Sequence, residues 1–126
     1  MIRPEFGIIK NEETIKEMLN EIKRTHQEEL PRVAARDVHE LIKANEARNF
    51  VELVEPVYIC ALERKESRLI HYRRDYPYRD DLDWLKWVVL KKEGDVIKVR
   101  HEPVPVEKNR IKLKERRRIP APVQFT

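Results

Sequence analysis

The chain has 126 residues, 40% of them hydrophobic and 40% charged, which is enough apolar material for one core and too little length for two ordinary domains. No run approaches the roughly 20 apolar residues that a membrane span requires, and the N-terminus passes directly into Arg3, Pro4 and Glu5 instead of an apolar signal core, so the expected place is the cytoplasm. Charge is uneven: seven Lys/Arg against two Glu give the last twenty residues +5, while the first 106 carry about −1.

In chain order, Asn11 to Glu29 reads as an amphipathic helix. Asn11 is placed to cap it, Glu12 and Glu13 suit the positive end of its dipole, and Ile15, Met18, Leu19 and Ile22 recur at helical spacing. After Pro31 a second helix is expected from about Val33 to Arg48, with Ala34, Val38, Leu41 and Ile42 on one side. A third, central helix is expected from Phe50 to Glu66, because Phe50, Val54, Val57, Tyr58, Ala61 and Leu62 are numerous enough for burial on more than one side. Pro56 lies inside it, and an interior proline removes a backbone hydrogen bond, so this helix either kinks or begins there.

Ser67 to Asp83 is charged and aromatic without a period, which predicts an ordered loop and a short turn at Asp80 to Trp84. Trp84 to Leu90 and Asp95 to Arg100, joined through Gly94, read as a β-hairpin. Prolines at 103, 105, 120 and 122 break the remainder into extended pieces. The expected fold is therefore mainly α: a three-helix bundle-like core, an ordered loop, a small β-hairpin and an extended basic tail. Residues 1–106 form the helical domain with its hairpin and 107–126 the tail.

Several kinds of chemistry are excluded. Gly7 and Gly94 are the only glycines, and a loop that cradles the phosphates of a dinucleotide or nucleotide needs several. The four histidines are scattered without ligand spacing, and a lone Cys60 permits neither an internal disulfide nor a zinc site on paired thiolates. No metal site and no catalytic residue is assigned. The densest constellation runs from Arg64 to Pro77. There Arg64, Arg68 and Arg73, with Glu66 and Asp75, would either lock a loop onto a helix end or present an anion site, since arginine binds carboxylates bidentately. His71 lies within the same run and reads as a hydrogen-bonded structural residue rather than a catalytic base. In the tail, Arg110, Lys112, Lys114, Arg116, Arg117 and Arg118 form a candidate partner-binding segment. Nucleic acid is the less favoured partner because no aromatic residue is interleaved with these cations. An outward-facing tail that recruits an acidic protein is the expectation.

The run Arg64-Lys65-Glu66-Ser67-Arg68, then His71-Tyr72-Arg73-Arg74-Asp75-Tyr76-Pro77, Asp80-Asp81 and Trp84, resembles the C-terminal domain of the succinate dehydrogenase and fumarate reductase flavoprotein family, which also includes L-aspartate oxidase. Gly7-Ile8-Ile9 with Asn11-Glu12-Glu13 is similar to the opening of that domain. Ala35-Arg36-Asp37-Val38-His39-Glu40-Leu41 and Glu46 resemble the adenylylsulfate reductase alpha subunit more than other members. Leu69 departs from the pattern, since many members carry glycine after the Glu-Ser-Arg triplet. The resemblance implies a domain that packs against a flavin domain and lies near an iron-sulfur subunit, with FAD held elsewhere and none in this chain. A stand-alone binding module that uses the basic tail for nucleic acid or an acidic protein is the alternative.

Overall fold

The computed structural model describes residues 7–108 and 115–121. Helix α1 spans Glu12–Arg24 and begins in a capping box. Thr14 N donates to Asn11 Oδ1 at 2.8 Å and Asn11 N donates to Thr14 Oγ1 at 3.1 Å, so two of the amides that a helix start leaves unpaired are satisfied reciprocally. Beyond Arg24 the chain widens into a π turn at Thr25–Glu29 and a 3-10 turn at Leu30–Arg32.

The second helix, α2, spans Val38–Glu63 without a break. This corrects the expected three-helix core: among the described residues there are two α-helices, accompanied by several small sheets. The segments read as separate second and third helices are one. Asp37 delays its start by five residues, because its side chain accepts from Glu40 N at 2.8 Å and its own backbone is extended. No glycine or proline lies between Arg48 and Phe50 to end the first part. Pro56 is accommodated inside the helix, so the helix does not begin there.

Ile15 and Ile22 of α1 pack with Tyr58 and Ala61 of α2, and Met18, Leu19, Val51, Val54 and Leu62 close around them. This is the core. A second apolar face of α2 is left uncovered, with Val38, Leu41, Ile42, Phe50, Leu53 and Val57 exposed by 51–73%. Apolar residues on two sides of a helix call for two partners, and α1 supplies one. No helix among the described residues is long and apolar enough to cross a membrane.

Among the described residues the strands form three two-stranded sheets. Strand β1 (Ile9–Lys10) pairs in parallel with β2 (Tyr72–Arg73), and β3 (Tyr78–Asp80) pairs antiparallel with β6 (Arg118–Pro120). The expected hairpin is present as β4 (Lys86–Glu93) and β5 (Val96–Pro103), with Glu93 opposite Val96 across a two-residue turn. Gly94 takes φ 62° at the first turn position, the conformation that glycine adopts without steric cost. The hairpin is tied to α2 by Arg64, whose Nη1 donates to Trp84 O at 3.0 Å and whose Nη2 donates to Lys86 O at 2.5 Å.

Candidate functional site

Among the described residues the buried charges all lie in the stretch 66–81 that follows α2. Glu66 is fully buried, and Asp80 and Asp81 are 1% exposed. Glu66 accepts from Arg64, from Arg68 Nε at 2.9 Å and Nη2 at 3.0 Å, and from the backbone amide of Asp80 at 2.9 Å. Arg68 bridges onward to Asp81 Oδ1 at 2.8 Å, and Arg79 closes on the same carboxylate at 2.5 Å. Asp80 accepts from the Leu82 and Asp83 amides and from Arg118 at 2.5 Å. Buried ions persist only when paired and hydrogen-bonded, and among the described residues no buried side-chain nitrogen or oxygen lacks a partner.

A second cluster joins the two helices. Arg73 is fully buried; its Nη1 donates to Ala61 O at 2.8 Å and Leu62 O at 3.2 Å, while Nε and Nη2 grip Asp75 at 2.7 and 2.5 Å. Asp75 in turn accepts from the Glu12 amide at 3.0 Å. A cation therefore closes the negative end of α2 and an anion the positive end of α1, each complementing a helix dipole, and the two helices run antiparallel. Ser67, 3% exposed, accepts from Arg73 N at 2.8 Å and donates to Tyr76 O at 2.8 Å, which fixes the turn between the clusters.

The structure thus brings Arg64, Glu66 and Arg68 into one cluster and Arg73 with Asp75 into the other. His71 sits between them, its Nε2 donating to Arg64 O at 3.3 Å. Sequence reasoning left Ser67, Arg79, Asp80 and Asp81 out of the candidate set, although adjacent aspartates beside an arginine in the motif were a usable signal. In the tail, Arg110, Lys112 and Lys114 lie outside the described residues. Arg116 and Arg117 are exposed. At Arg118 the expectation of an outward-facing tail is corrected: its guanidinium is bound to Asp80 and stacks 4.9 Å from the Tyr78 ring centre. The first 106 residues carry only about −1 in all, but they offer one buried carboxylate, Asp80, that accepts the Arg118 guanidinium.

Burial opposes ionisation of Asp75, Asp80 and Asp81. The arginines and amides around them outweigh it and hold all three carboxyls below the ordinary aspartate range. Burial, reinforced by the nearby Lys10, Arg73 and Arg64, pushes His71 down to about 4, so it is neutral at pH 7. The folded state therefore binds fewer protons than the unfolded chain between pH 6.5 and 4, and stability must fall as pH falls through that window. The aspartates add their own loss only below about pH 4. We expect urea midpoints to drop between pH 6.5 and 4.5 in the wild type and to change much less in His71→Gln. An equal pH slope in both would remove His71 as the cause.

A buried charge network joins two helix ends, and the proline-containing α2 is left apolar on its outer face. The chain belongs to the family described as fumarate reductase flavoprotein C-term, whose model matches residues 1–118. It is 32% identical over 97 residues to the succinate dehydrogenase flavoprotein subunit of Coxiella burnetii, covering 73% of this chain and 16% of that protein. With the corresponding subunit of Bacillus subtilis it shares 25% identity over 91 residues, 72% of this chain and 15% of the relative. A 32-residue stretch is 56% identical to L-aspartate oxidase of Yersinia pestis, covering 25% of this chain and 6% of the relative. The fold is similar to that of the FrdA chain of an E. coli quinol fumarate reductase mutant, with a TM-score of 0.70 at 23% identity over 81% of this chain and 19% of the other. The chain spans about a sixth of the length of the succinate dehydrogenase relatives it matches.

Proposed function

We propose that this chain serves as the assembly domain of a flavin-dependent oxidoreductase, docking onto a flavin-binding part and lying near an iron-sulfur subunit. The observation that carries the reading is the uncovered apolar surface. Phe50, Leu53 and Val57 on the outer face of α2 lead to Ile8 and Ile70, which line one open groove of about 460 Å³ with Val57. A contiguous apolar face of this kind on a small domain marks an interaction site.

FAD belongs elsewhere in this reading. What supports this is that, of the two glycines, Gly94 turns the hairpin and Gly7 precedes β1, and that Arg68 and Arg73 are paired with Glu66, Asp81 and Asp75. The whole enzyme would carry out a two-electron oxidation or reduction. The relatives' names favour succinate and fumarate as substrates, whereas the 35–46 segment favours adenylylsulfate and sulfite.

The test is reconstitution. The purified chain mixed with FAD is expected to emerge from gel filtration without flavin absorbance. Mixed with the flavin-binding part of its host's flavoprotein of this family, it is expected to emerge in a 1:1 complex that carries the absorbance. Flavin retained by the chain alone, or no complex, would overturn the proposal. Turnover of the complex with succinate or with sulfite and AMP then separates the two substrates.

A further inference from the structure

Two reverse turns in this domain have the same backbone demand and meet it with different residues. The turn at Gly94 takes its positive φ with glycine; the other, at Leu69 and Ile70, takes φ 54° with leucine. That second turn is tightly closed, with Arg68 N donating to His71 O at 2.8 Å and His71 N to Arg68 O at 3.0 Å. A side chain at positive φ crowds its own backbone, and such strain persists where the residue serves a purpose. Among the described residues Leu69 is no part of the core: it is 94% exposed, and the adjoining Ile70 is 77% exposed.

The surroundings indicate what the turn fits. Apolar grooves of about 460 and 570 Å³ flank it, both lined in part by Ile8 and Ile70. Lys10 and Arg64 edge the first and Arg68 and Arg79 the second, while Glu66 and Asp81, the carboxylates that pair with the three arginines, are buried beneath, and Lys10 donates instead to the Ile8 carbonyl. The surface presented is an apolar knuckle between cationic rims. Self-pairing about a two-fold axis would set these rims against their own copies, which disfavours a second copy as the occupant.

We infer that the Leu69–Ile70 turn is an anchor that inserts into an apolar socket edged by carboxylates on the flavin-binding part of a flavoprotein, and that leucine stands at this strained position for that contact. The inference rests on the assembly reading above and adds the residues that decide its affinity. It is tested with the full chain and its Leu69→Gly and Leu69→Met variants, by thermal melting and by titration into the purified flavin-binding part of the host's flavoprotein.

Leu69→Gly is expected to melt at or above the wild-type temperature, since the strain is relieved, yet to bind at least tenfold more weakly; Leu69→Met should bind within threefold of wild type. Binding of Leu69→Gly within threefold of wild type would overturn the anchor while leaving the assembly reading intact. No binding by the wild type would overturn both. Self-association of the wild type that Leu69→Gly abolishes would overturn the choice of occupant in favour of a second copy.

Discussion

Glu66→Ala is expected to destabilise the domain by about 3–5 kcal/mol, the range for removing one partner of a buried ionic group. Glu66 is fully buried and collects two guanidinium groups and one amide. Without it Arg68 retains Asp81, but Arg64 is left with no described carboxylate, keeping the carbonyls of Trp84 and Lys86 and the Trp84 ring, and the Asp80 amide has lost its acceptor. The penalty is the desolvation of groups that stay buried without compensation, not the worth of a single contact. Urea unfolding followed by circular dichroism measures it. Glu93→Gln, which breaks the exposed hairpin pairs with Lys91 and Lys98, serves as the control and should change nothing measurable, because solvent screens such pairs. Equal midpoints for Glu66→Ala and the control would mean that the cluster is not a stabilising unit.

Arg73→Met is expected to cost a similar amount, about 3–5 kcal/mol, since it strands Asp75 and frees the last carbonyls of α2. Arg73→Lys distinguishes charge from geometry. An ammonium keeps the charge but cannot address Asp75 and two carbonyls at once as the planar fork does. Lysine should therefore rescue only part of the loss, and full rescue would show that charge alone suffices. Helix α1 should report the damage, because its first amide at Glu12 depends on Asp75. Amide exchange at the start of α1 should accelerate in both variants, more so in Arg73→Met.

Much of the local architecture was legible. Asn11 capped the helix it was expected to cap, and the hairpin formed around Gly94. The surplus of apolar residues in the central helix predicted burial on more than one side, whereas among the described residues only the side facing α1 is covered. Counting the helices failed for a specific reason. The sequence from Val33 to Glu66 holds no strong stop, and its one interior breaker, Pro56, is compatible with a continuing helix because only one hydrogen bond is forfeited. The start was misplaced because Asp37, a good cap, lies after four residues that fit the same apolar period.

Caps, apolar periods and turn residues act within a few positions of one another, and so the amino-acid order alone was sufficient for α1, the hairpin and the family motif from Arg64 to Trp84. The charge clusters depend on distance in space. Glu66 meets the Asp80 amide 14 residues away, Arg118 meets Asp80 across 38, and Asp75 meets Glu12 across 63. No local preference encodes such pairings. They arise because α1 and α2 pack through Ile15, Ile22, Tyr58 and Ala61 and so bring two helix ends together, leaving Arg73 and Asp75 between them in a space that only a paired, hydrogen-bonded ion can occupy.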